Sequence, residues 1–157
     1  MRRPYAITAK KLSKFIKITT GAPNQIDCAI AQVLDKKLVS PVIMPKVGKL
    51  ASGQPISAAE GMNVHKDGRT TGYTQGVIRD LTADVKIQYE MGVVQFTEQV
   101  LIVGTGGSFS QPGDSGSLIV DRKTQRPVAL LFAGSSSHTI ANHLDDVVQA
   151  LGVSIVA

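Results

Sequence analysis

The sequence contains no tryptophan, a single cysteine (Cys28) and only 4% aromatic residues. One cysteine excludes an internal disulfide and a cysteine-based zinc site. No apolar run approaches the roughly 18 residues that a membrane-spanning helix needs; the longest clean one covers residues 128–133. The opening Met1-Arg2-Arg3-Pro4-Tyr5 is basic enough to begin a signal peptide. Lys10, Lys11, Lys14 and Lys17 then interrupt any apolar stretch, so no signal peptide is expected. Internal repeats and low-complexity tracts are also missing. What is present is an ordinary globular composition, 157 residues with 43% hydrophobic and 18% charged. It suits one domain or two small barrels and excludes a disordered chain. A soluble globular chain with no visible address is predicted.

Acidic residues are scarce at the front. Residues 1–49 hold ten of the 17 lysines and arginines but only two of the 12 acids, Asp27 and Asp35. A basic N-terminal third is compatible with nucleic-acid contact. It lacks aromatic interleaving, zinc spacing and a recognition-helix pattern, and lysines on short edge strands also guard against strand pairing. The solvated-face reading is preferred, and neither a nucleic-acid nor a membrane partner is expected.

Short apolar stretches separated by turn residues dominate the pattern: 12–18, 26–34, 62–66, 74–81, 85–89, 93–96, 99–103, 117–121 and 128–132. Spacing of this kind indicates a sandwich or barrel. Only the end reads as helical. After Thr139 or Asn142 as a cap, Leu144, Val147, Val148 and Leu151 recur at i, i+3, i+4, i+7, and Gly152 supplies a stop. The fold class is therefore all-β with one C-terminal helix.

The chemistry-bearing stretch runs from Gly104 to Ser117 and contains Gly113-Asp114-Ser115-Gly116-Ser117. It is not a phosphate-cradling loop, because no lysine follows its glycines. It is not a nucleophile elbow either, because a strand follows it and Ser117 stands where that motif needs glycine. What fits is a serine on a glycine-bracketed loop before a buried strand, where successive backbone N–H groups can converge on a developing oxyanion.

Those five residues resemble the nucleophile loop of chymotrypsin/trypsin-like serine proteases. The stretch from Lys66 to Val77, with Gly68-Arg69-Thr70-Thr71-Gly72 at its turn, resembles the hairpin that opens the second barrel of bacterial members. Ile26-Asp27-Cys28-Ala29-Ile30-Ala31 resembles the triad-aspartate segment, and Asp27 lies 88 residues before Ser115, about the family's offset. The resemblance implies Ser115 as nucleophile and Asp27 as the carboxylate that orients an imidazolium. It implies the N–H groups of Gly113 and Ser115 as an oxyanion hole, with Asp114 in a supporting charge contact. It further implies that Leu131-Phe132-Ala133-Gly134 forms the edge on which substrate backbone is read. Phe109 and Ser110 are then expected near the base of the specificity pocket, a floor without a carboxylate that argues against Lys or Arg preference. Read without the resemblance, Asp27 is a turn cap and Ser115 part of a tight turn.

In that family the chain order is His, Asp, Ser, and no histidine precedes Asp27 here. His65, His138 and His143 all come later. His65 is expected on a second-barrel strand, facing solvent or hydrogen-bonded. His138 is expected at the pocket rim and His143 in the first helical turn, capping or exposed. Cys28 reads as a small buried hydrophobe, and Asp145-Asp146 suit the positive end of a helix.

The resulting expectation is an all-β chain: residues 1–43 as the remnant of a first β-barrel, 44–60 as a connector, and 61–157 as a trypsin-like second β-barrel with its C-terminal helix. The activity implied is that of a serine endopeptidase working through an acyl-enzyme on Ser115, without metal or organic cofactor, and nearly silent for want of a histidine. The alternative is a non-catalytic module that binds peptides on a degenerate protease barrel. Partners would be a polypeptide substrate or peptide ligand, with self-association through unpaired first-barrel strands.

Overall fold

The structure, a computed structural model, describes residues 12–33, 35, 37 and 44–157. The rest of the segment read as a first-barrel remnant lies outside the described residues. Among the described residues, eight strands precede one helix: β1 (Leu12–Phe15), β2 (Ala29–Ala31), β3 (Asn63–Gly68), β4 (Gly72–Tyr89), β5 (Gly92–Gly104), β6 (Leu118–Asp121), β7 (Pro127–Gly134), β8 (Thr139–His143) and α1 (Leu144–Leu151). The all-β reading with a C-terminal helix holds. Strands β3 to β8 close into a barrel in the order β3-β4-β5-β8-β7-β6, while β1 and β2 form a separate two-stranded antiparallel sheet.

Alternation puts Val64, Ile78, Val100, Ile102, Ile119, Val128 and Leu131 into the barrel interior. The apolar stripe of α1 works in the opposite direction. Leu144, Val147 and Leu151 pack on Cys28 with Ile16, Ile26 and Ile30, so the helix fastens the N-terminal sheet to the barrel. Cys28 is buried as expected.

Two sequence expectations differ from the structure. The stretches read as separate strands at 74–81 and 85–89, and at 93–96 and 99–103, are continuous within β4 and β5. Register shifts around Asp80 and Ala83 bend the pair without ending it, and Asp80 takes up the Thr82 N–H at 2.8 Å inside the irregularity. The residues read as a helix cap region form β8. Thr139, Ile140, Ala141 and Asn142 are all buried, and a short strand covered on both faces has no period to reveal it. The N-cap is His143, without a side-chain capping bond.

Candidate active site

The loop before β6 is held at both ends. On the β7 side, the Gly116 N–H donates to the Leu131 carbonyl at 2.7 Å and the Leu131 N–H to the Ser117 carbonyl at 3.1 Å. On the other side, the Thr70 hydroxyl donates to the Pro112 carbonyl at 2.9 Å. Gly113 (φ 101°) and Gly116 (φ 86°) take left-handed conformations on either side of Asp114-Ser115, which explains the glycine brackets. Among the described residues, the amides of Gly113 and Ser115 donate to no protein acceptor, whereas those of Asp114, Gly116 and Ser117 do.

Asp114 is the buried anchor of this loop. Its carboxylate accepts the Thr70 N–H at 2.7 Å, the Thr71 hydroxyl at 2.7 Å and the Gln111 N–H at 3.1 Å. Lys66 Nζ, on a side chain with 0% exposure, lies 3.5 Å away. Burial by itself would raise the Asp114 pKa, but the hydrogen bonds from Thr71, Gln111 and Thr70 prevail and hold it at about 2. Burial pushes the Lys66 ammonium below its ordinary value while Asp114 pulls the other way. The ammonium also donates to the Thr71 hydroxyl at 2.6 Å and the Gly72 carbonyl at 3.2 Å, a donor set suited to its charged form. Sequence reasoning gave Asp114 a charge partner without identifying Lys66. The available signal was parity: Lys66 is two residues beyond Val64 on β3 and shares its inward face.

Asp27 sits just before β2, on a segment strapped to β5. The Asn24 N–H donates to the Gln95 carbonyl at 2.9 Å, and the Thr97 N–H to the Asn24 carbonyl at 2.9 Å. Buried Asn142 of β8 clamps the Asp27 backbone at both poles, accepting its N–H at 2.9 Å and donating to its carbonyl at 2.9 Å. The carboxylate itself accepts a hydrogen bond from the Tyr89 hydroxyl. Burial, then the bond to Asp27, raise the Tyr89 pKa, so the phenol stays a neutral donor. Its ring begins an aromatic row, with centroids 6.2 Å apart for Tyr89 and Phe96 and 4.9 Å apart for Phe96 and Phe132. Neither Tyr89 nor Asn142 was anticipated as part of the site.

These elements enclose a cleft of about 730 Å³ lined by Asp27, Tyr89, Ser110, Ser115, Phe132, Ala133 and Gly134 among others. Asp27, Ser110, Ser115, Phe132, Ala133 and Gly134 are thus gathered round one cleft, whereas Gly113, beside Ser115 in the loop, and Phe109 are not part of its lining. Phe109 does not reach the cleft; its ring is buried with Val64, Ile78 and Ile102 in the barrel core. The bend at Phe109 turns the next side chain the other way, so Ser110 lines the cleft, with its hydroxyl 2.6 Å from that of Thr139.

No imidazole reaches Ser115, whose hydroxyl donates to the Phe132 carbonyl at 3.1 Å. His65 is buried on β3 against the Tyr73 hydroxyl at 3.2 Å, and among the described residues its other ring nitrogen has no hydrogen-bond partner. Burial, then Arg122, lower its pKa. His138, expected at the pocket rim, lies outside the lining and pairs with the Ser137 hydroxyl at 2.8 Å. The His143 ring is turned to the Leu81 carbonyl at 2.9 Å rather than capping α1.

The β3–β8 barrel, its C-terminal helix and the attached two-stranded sheet define the fold of chymotrypsin-like serine proteases. Thermobifida fusca protease A superposes with a TM-score of 0.62 at 19% identity, covering 82% of this chain and 66% of that one. A glutamic acid-specific serine protease gives 0.59 at 19%, covering 88% and 72%. Cellulomonas bogoriensis chymotrypsin gives 0.55 at 21%, covering 69% and 57%. At such identities the likeness establishes the fold. By sequence, the chain belongs to the Nal1 C-terminal domain family, which it matches over residues 29–145. Protein NARROW LEAF 1 of Oryza sativa subsp. japonica is 32% identical over 88 residues, 53% of this chain and 15% of the rice protein. The chain therefore spans a small part of that relative's length.

Proposed function

We propose that this chain carries the nucleophile and the peptide-binding cleft of a serine endopeptidase, and that as these 157 residues it binds extended polypeptide while hydrolysing it very slowly. The observation that carries the reading is the shared cleft: Asp27 and Ser115 both border it, beside Phe132, Ala133 and Gly134. β6 pairs with β7 as far as Leu130 and the preceding loop bonds Leu131, which leaves the cleft edge of β7 from Phe132 onward open to a peptide strand. In this reading the Gly113 and Ser115 amides receive the oxyanion, and Asp27 would orient an imidazole that none of the three histidines supplies. The alternative, a binding module without chemistry, is favoured by one contact, the Ser115 hydroxyl resting on the Phe132 carbonyl.

Titration of the ¹⁵N-labelled protein with a capped neutral hexapeptide tests the cleft. The amide signals of Ala133, Gly134, Gly113 and Ser115 are expected to shift together. A peptide that shifts other amides and leaves these still removes the proposal.

Self-association through the N-terminal sheet is part of the same reading. Phe15 on β1 is 61% exposed and Val33 beyond β2 44% exposed, and a two-stranded sheet is marginal alone. Sedimentation velocity is expected to detect dimers at micromolar concentration; a monomer throughout would discard this element.

A further inference from the structure

We propose that Arg69 reads an acidic side chain on the leaving-group side of the bound peptide, an inference that rests on the peptide-binding reading above. The guanidinium lies against the nucleophile loop. A Cβ built on Gly113 would stand 2.7 Å from Arg69 Nη2 and 3.4 Å from its Cζ. Arg69 is exposed, and among the described residues no carboxylate lies within the 4.0 Å of an ion pair with it. The acids nearby are otherwise engaged. Asp114 is buried with Lys66, and Asp67 accepts the Lys46 N–H at 3.1 Å. The guanidinium beside Gly113 therefore has no ion-pair partner among the described residues.

Direction follows from the loop. Residues 112–116 bridge the β3–β4 turn, through Thr70 and Pro112, to β7, through Gly116 and Leu131. A peptide whose acyl part pairs with Phe132, Ala133 and Gly134 presents its carbonyl at Ser115. It then continues across Gly113 to Arg69. The planar guanidinium matches a carboxylate in a two-point hydrogen bond, so Asp or Glu just after the seated carbonyl is favoured and Lys or Arg there is repelled.

Two capped hexapeptides that differ only by Glu or Gln at the position after the seated carbonyl make the comparison. Amidation leaves the side chain as the only added carboxylate. The Glu peptide is expected to bind about fivefold more tightly at low salt. The preference should vanish at about 0.5 M salt, where the Debye length is a few ångströms. Arg69→Gln is expected to equalise the two peptides and Arg69→Lys to keep part of the difference. Equal binding to the wild-type protein, with the Ala133 and Gly134 amides still shifting, overturns the Arg69 proposal and leaves the peptide cleft standing. A Glu preference that survives in Arg69→Gln also overturns it. If neither peptide moves those amides, the underlying reading is the one that fails.

Discussion

A fluorophosphonate is expected to label Ser115 in this chain four to six orders of magnitude more slowly than it labels a serine protease with an intact triad, the loss that follows removal of a triad member. A serine hydroxyl at neutral pH is a poor nucleophile until a neighbouring base takes its proton. Here it donates to the Phe132 carbonyl, which accepts a hydrogen bond without accepting a proton. Asp27 holds the Tyr89 hydroxyl, and the rings of His65, His138 and His143 are engaged with Tyr73, Ser137 and Leu81. The cleft of about 730 Å³ is large enough to admit a free imidazole. Added imidazole is accordingly expected to raise the labelling rate at least about tenfold, since a positioned general base contributes about a hundredfold or more. Asp27→Asn should remove that rescue and Ser115→Ala all labelling. Fast labelling without imidazole would show that a base is already in place. Labelling indifferent to imidazole would move the chain to the binding-module reading.

The Gly113–Ser117 loop and the C-terminal helix were legible because their signals are local. Glycines on both sides of Asp114-Ser115 mark a backbone that only glycine tolerates, and four apolar residues at helical spacing identify α1 without reference to the rest of the chain. The partners that complete the site are not local. Tyr89 and Asp27 are 62 residues apart and Asn142 and Asp27 115 apart, and no spacing rule connects a phenol on a hairpin to a carboxylate on a strap. Phe109 illustrates a different limit. Counting back from Ser115 leads to the neighbourhood of the cleft, but the local turn of an irregular loop decides between core and cleft: Phe109 is in the core and Ser110 faces the cleft. In β8, burial of both faces erased the alternation that would have separated it from the helix. The long β4–β5 hairpin was divided because its polar irregularities at Asp80 and Thr82 resemble turns, whereas the ladder resumes beyond them.

Lys66→Met is expected to lower the unfolding free energy by about 3–5 kcal/mol, the usual cost of removing one partner of a buried ion pair. Methionine fills the space of the lysine stem, so the loss reports on charge rather than on a cavity. Asp114 would keep its donors from Thr70, Thr71 and Gln111 but remain a buried anion without a cation. Acid dependence isolates the carboxylate. Its pKa of about 2 in the folded protein lies below the ordinary aspartate value near 3.9 in an unfolded chain. A depressed folded pKa adds stability that is fully present above about pH 4 and disappears as pH falls through 2, a contribution of about 2–3 kcal/mol. Urea midpoints followed between pH 5 and 2 should show that slope in the wild-type protein and lose it in Asp114→Asn. Combining Lys66→Met with Asp114→Asn should cost less than the sum of the two single changes, because the pair is coupled. The consequence for the site is direct: Asp114 stands between Gly113 and Ser115, so the charge that Lys66 neutralises fixes the loop from which both free amides project. A Lys66→Met protein with an unchanged midpoint and unchanged Gly113 and Ser115 amide shifts would mean that the hydrogen bonds to Asp114 suffice and that the buried lysine does not hold the loop.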